Sequence, residues 1–93
     1  MYELINGNGK VKEYNEYGEL LFEGEYLDGK RNGQGKEYDD GELLFEGEYL
    51  DGKRNGQGKE YYKDGDLKFE GEYLNGKIKG YDKDINLYLK VNI

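Results

Sequence analysis

Between Leu20 and Leu27 apolar and charged positions alternate residue by residue. Leu20, Phe22, Gly24 and Tyr26 share one parity, and Glu23 and Glu25 fall on the other. A period of two is that of a β-strand with one aromatic face and one charged face. Glycine recurs too often for a helix to survive. The next six residues, Asp28-Gly29-Lys30-Arg31-Asn32-Gly33, are turn formers; Asp-Gly and Asn-Gly accept the positive φ of tight hairpins. Alternation resumes from Gln34 to Tyr38, and Asp39-Asp40-Gly41 turns the chain back. The pattern predicts a hairpin with its tip at Asp28–Gly33.

That hairpin is repeated. Residues 18–38 and 41–61 are identical position by position, and a third copy starts at Gly65 as GDLKFEGEYLNGKIKG. Phe45 lies 23 residues after Phe22, and Phe69 a further 24; the extra residue falls in the turn Tyr61-Tyr62-Lys63-Asp64-Gly65. The chain divides into a partial unit at 1–17, repeats at 18–40, 41–64 and 65–84, the last degenerate at its end, and a strand at 85–93. In that strand Ile85, Leu87, Leu89, Val91 and Ile93 share one parity, which suits a cap closing the ladder or an edge that accepts another strand.

An isolated hairpin is marginal in water, so the copies must stack. The expected fold is all-β: an elongated, single-layer antiparallel meander of repeated hairpins. Phe22, Phe45 and Phe69 then form one row and Tyr26, Tyr49 and Tyr73 another. Gly24, Gly47 and Gly71 lie between the rows and leave room for rings from neighbouring strands.

Composition narrows the chemistry. Of 93 residues, 34% are hydrophobic and 38% charged, a balance that favours disorder were 15% not aromatic and in phase. The chain holds no His, Cys, Ser or Thr, which removes the commonest general base and the usual acyl-transfer nucleophiles and zinc thiolates. The net charge of −7 disfavours nucleic acid and anionic bilayers. No stretch is apolar enough to span a membrane and the N-terminus lacks the features of a signal peptide, so a cytoplasmic location is the expectation.

The string FEGEYLDGKRNGQGKEY resembles the MORN repeat, with Phe22, Gly24, Tyr26, Gly29, Gly33 and Gly35 on motif positions. The longer link before Phe69 is similar to the MORN-variant repeats of bacteria. Asn32 and Asn55 stand where the motif usually has His, and Tyr replaces Trp. The resemblance implies a single-layer sheet and a role in protein contact, scaffolding or membrane tethering; some bacterial variants carry an antitoxin label.

Two surfaces are candidates. The aromatic face, with Phe22, Tyr26, Phe45, Tyr49, Phe69 and Tyr73, would mark an interaction site if left uncovered, unless the rings bury one another. Lys30, Arg31, Lys53, Arg54, Lys77 and Lys79 would form a basic row along the tips, facing an acidic row of Asp39, Asp40 and Asp64, unless both are merely solvated turns. The paired acids Glu23 and Glu25, repeated as Glu46, Glu48, Glu70 and Glu72, lie on a flat face and do not read as catalytic. Asp64-Gly65-Asp66 lacks the spacing of a calcium loop. The expectation is therefore a non-catalytic interaction or scaffolding module without metal or cofactor. Its expected partner is another protein, with a homodimer through 85–93 or the aromatic face left open; a lipid tether or an antitoxin-like inhibitor is the alternative.

Overall fold

The computed structural model describes the backbone of residues 2–5 and the whole of residues 7–79. The strand expected at 85–93, its proposed dimer contact and the end of the 65–84 unit lie outside them. Among the described residues eight strands follow one another in sequence and in space: β1 Tyr2–Ile5, β2 Asn8–Tyr14, β3 Leu20–Leu27, β4 Lys30–Asp39, β5 Glu42–Leu50, β6 Lys53–Tyr61, β7 Leu67–Leu74 and β8 Lys77–Ile78. All neighbours pair antiparallel in one sheet, the meander expected from the repeats.

The hairpin tips are tighter than the turn residues suggest. Asp28 and Gly29 alone form the first tip, with φ of 53° and 79°, and Leu27 pairs directly with Lys30. Positive φ at both central residues is the type I′ geometry that matches strand twist. Asp51-Gly52 and Asn75-Gly76 repeat it. The second Asn-Gly is not a turn. Between the pairs Gly24–Gly35 and Tyr26–Arg31 the register shifts, because Asn32, Gly33 and Gln34 bulge outward with Gly33 at φ 85°. The Glu25 carboxylate accepts the freed Gln34 N–H at 3.1 Å, and Glu48 does the same for Gln57 at 2.9 Å.

Successive tips are stitched together. Asp28 N–H donates to Asn8 Oδ1, Asp51 N–H to Asn32 Oδ1 and Asn75 N–H to Asn55 Oδ1. The backbone repeats the link, from Gly29 N–H to Gly7 O, Gly52 to Arg31 and Gly76 to Arg54. Asn32 and Asn55 thus act as acceptors between successive repeats. Asn55→Ala removes one exposed hydrogen bond and is expected to cost about 0.5–1 kcal/mol; urea unfolding of the two proteins measures it, and an unchanged midpoint would refute the stitching role.

Rings cover one face. Phe22 meets Tyr49 edge-on at 5.3 Å, and Phe45 meets Tyr73 at 5.2 Å. Within strands Phe45–Tyr49 and Phe69–Tyr73 are also edge-on, at 5.7 and 5.6 Å. Phe22 and Phe45 therefore each reach across an entire strand to a ring of the next repeat. They can do so because the strand between offers glycine: a Cβ on Gly35 would lie 2.6 Å from Phe22 and 2.9 Å from Tyr49. Sequence reading placed glycines on the aromatic strands; the row continues across β4 and β6, pairing Gly24, Gly35, Gly47, Gly58 and Gly71 in order.

Candidate functional site

The aromatic face is not an open surface. Phe22 and Phe45 are fully buried, and Phe69, Tyr49 and Tyr73 nearly so; Tyr26 is half-buried. The rings are covered by side chains that the tip reading placed in solvent. Arg31 and Arg54 belong to β4 and β6, opposite Tyr26 and Tyr49. Their guanidinium groups lie over the faces of Phe22 and Phe45, 4.1 and 4.0 Å from the ring centres, where a cation meets the negative π-cloud.

The same arginines join a carboxylate ladder. Arg31 forks onto Glu13 through Nε at 3.0 Å and Nη2 at 2.9 Å, with Glu37 at 3.8 Å. Arg54 forks onto Glu37 at 3.0 Å through both nitrogens and reaches Glu60 at 3.1 Å. Each carboxylate also accepts a tyrosine hydroxyl, from Tyr26, Tyr49 and Tyr73 in turn. Glu37 and Glu60 were missed in the sequence, although their parity with Gly35 and Gly58 puts them on the ring face, where a carboxylate requires a cation.

Titration follows from these contacts. The Arg31 hydrogen bond holds the Glu13 carboxyl below its ordinary range. Burial would raise Glu37, but Arg54 and Tyr49 outweigh it and the net direction is down. Burial and Glu37 push the Tyr49 hydroxyl up, and burial and Glu60 do so for Tyr73. On the opposite face burial and Glu23 raise Tyr38 to about 12, and Glu46 and burial raise Tyr61 to about 12. A lowered carboxylate stabilises the fold above its unfolded value, and that stability is lost as pH falls through the folded value. A raised tyrosine stabilises it below the unfolded value, and that stability is lost as pH climbs through the folded one. The thermal midpoint is therefore expected to fall below about pH 4.5 and again above about pH 10, with a plateau between because the chain has no His or Cys. Circular dichroism melts across that range test it; a midpoint sloping between about pH 6 and 8 would contradict the assignment.

The sheet's other face is the concave one. Register shifts recur in β2/β3, β3/β4, β4/β5, β5/β6 and β6/β7, and bulges bend and twist a sheet. The result is a trough of about 1020 Å³ crossing β2 to β7, with the backbone of the glycine row as part of its floor. Along it runs a row of alternating sign, Lys12–Glu23–Lys36–Glu46–Lys59–Glu70, each residue opposite the next. Among the described residues these facing charges are not closed into ion pairs. Instead Tyr38 donates to Glu23 at 2.7 Å and Tyr61 to Glu46 at 2.5 Å.

Of the expected basic edge, Lys30, Lys53 and Lys77 do lie at the tips, beside Leu27, Leu50 and Leu74, which are about half exposed. Lys30 pairs with Asp51 at 3.2 Å and Lys79 with Glu72 at 3.6 Å. Arg31 and Arg54 leave that edge for the ring face, and Ile78 occupies the equivalent position opposite Tyr73. The opposite edge is not purely acidic, since Lys63 lies 3.7 and 3.9 Å from Asp39 and Asp40. The trough itself escaped sequence reading, which treated Glu23 and Glu46 as a flat surface.

Residues 22–42, 45–67 and 69–81 match the family model of the MORN repeat, each match opening on a phenylalanine of the ring row. No curated protein and no solved structure matches the chain.

Proposed function

Because the chain belongs to the MORN repeat family, we propose that it is a non-catalytic module that holds another protein against the concave face of its sheet. MORN repeats are non-catalytic units of protein or membrane interaction. The observation that carries the protein reading is the trough, whose charges are set at fixed intervals and not closed into ion pairs with one another. The ring face and its arginines are consumed by folding, so they offer a partner little. Tyr14 lines the trough and is exposed, and Leu27, Leu50 and Leu74, exposed at the tips, share the strand parity of its carboxylates Glu23, Glu46 and Glu70.

The experiment compares the protein with a Lys36→Glu/Glu46→Lys variant, which inverts two central charges of the trough without touching the ladder. The captured partner should be retained by the first and lost by the second, with both showing the same dichroism. Retention by both would refute the reading. One feature supports a membrane tether: leucine and lysine alternate along the tips. Asp28, Asp51 and the net charge of −7 oppose it, because an anionic bilayer attracts basic segments. Flotation with phosphatidylserine vesicles at low salt decides between them; the tether requires the protein to float.

A further inference from the structure

The trough repeats with a period that selects among partner conformations; this inference rests on the protein-docking reading above. Three sets of side chains recur at every second strand of the concave face: Tyr14, Tyr38 and Tyr61; Lys12, Lys36 and Lys59; Glu23, Glu46 and Glu70. Two strands span about 9.6 Å at the backbone, and on a concave side the side-chain tips stand closer than that. A segment lying across the strands must repeat its own contacts at the same interval. An α-helix returns to the same face every turn of about 5.4 Å, so its nearest match is two turns, about 10.8 Å, and curvature widens that mismatch. A β-strand repeats every two residues, about 6.8 Å. A polyproline II helix repeats every three, about 9.3 Å, and curvature brings the trough toward it.

The tyrosine row points the same way. Polyproline II segments dock in aromatic-lined grooves, where their preformed shape loses little entropy. Here Tyr14 lines the trough and is 47% exposed, and Tyr38 and Tyr61, beside the lining, are tied to its Glu23 and Glu46 by hydroxyl bonds. Charge selects the third residue. Glu23, Glu46 and Glu70 share the tyrosine pitch, and the chain as a whole is acidic at −7; lysines lie one strand away and penalise any other register.

We propose that the concave face takes a proline-rich segment in the polyproline II conformation, with a basic residue at every third position facing Glu23, Glu46 and Glu70. The test titrates the full chain by calorimetry with a peptide of about four Pro-Pro-Arg triplets. Controls are a peptide of the same composition with irregular arginine spacing, a Pro-Pro-Glu peptide, and a helical peptide of alternating Glu and Lys. The regular basic peptide should bind saturably and at least about tenfold more tightly than each control. Glu70→Lys and Tyr38→Ala should each weaken it by about tenfold, and Tyr38→Phe, which keeps the ring, by much less. Equal binding of regular and irregular peptides, no binding of either, or tighter binding of the acidic or helical one overturns the proposal. Those failures leave the docking reading intact if the Lys36→Glu/Glu46→Lys variant still loses its captured partner; retention of that partner sinks the docking reading whatever the peptides do.

Discussion

Gly47→Ala is expected to unfold the protein or leave it partly folded at room temperature. A Cβ at this position would lie 2.6 Å from Gln57 O, 2.6 Å from Gly58 Cα and 2.8 Å from the Phe45 ring. Two of the three obstacles are backbone, so no rotamer change relieves the contact. Moving β6 away would break the pairing Gly47–Gly58 and lift the ring that spans to Tyr73. Overpacking costs about 1–3 kcal/mol where side chains can yield and more where they cannot, against a total of only about 5–15 kcal/mol for a folded domain. Gly41→Asn is the control. Gly41 sits at φ 82° with nothing within 4 Å of its Cβ direction, and asparagine tolerates that conformation, so its cost should stay below about 1 kcal/mol. Equilibrium urea denaturation of both variants checks the pair. Equal loss would mean that glycine content, and not the close approach of ring and strand, limits the fold.

That contrast explains what the sequence disclosed. Alternation in Leu20–Leu27 marks β3 at the boundaries the structure shows, because ring and carboxylate positions there follow the strand period without interruption. The second strand was legible only from Gln34, although β4 begins at Lys30. Asn32-Gly33 has turn chemistry, and a bulge uses the same positive φ as a turn. Misplacing it moved Arg31 and Arg54 to the tips and left open whether anything covers the rings. The phase of the repeat revealed the ring rows, but burial depends on what crosses above them. That was written in Glu13, Glu37 and Glu60, which recur on the ring parity with no apolar reason to be there. The trough depends on curvature, the sum of small register shifts that no single residue announces.

The carboxylate ladder carries the second large effect. Arg54→Leu is expected to cost about 2–4 kcal/mol, and Arg31→Leu less. Arg54 serves two carboxylates, with three contacts at 3.0–3.1 Å, whereas Arg31 grips Glu13 and only approaches Glu37 at 3.8 Å. Without Arg54, Glu37 keeps Tyr49 and the distant Arg31, and Glu60 keeps Tyr73. These side chains are only about a fifth exposed, at 20% and 19%, so water restores little of the lost solvation. An uncompensated carboxylate in that setting regains a proton: the acid limb of the stability profile should move to higher pH in Arg54→Leu, since Glu37 is no longer held below its ordinary value. Ile78 shows why leucine is a fair test of charge as distinct from bulk. It occupies the arginine position opposite Tyr73 and packs against the ring cluster, so an aliphatic side chain fits the space. The double variant Arg54→Leu/Glu37→Leu should then recover part of the loss, because it removes the stranded charge together with its partner. Recovery in the double variant together with the shifted acid limb identifies the ladder as an electrostatic lock between repeats; a double variant as unstable as the sum of its parts would show instead that Arg54 acts through its packing over Phe45.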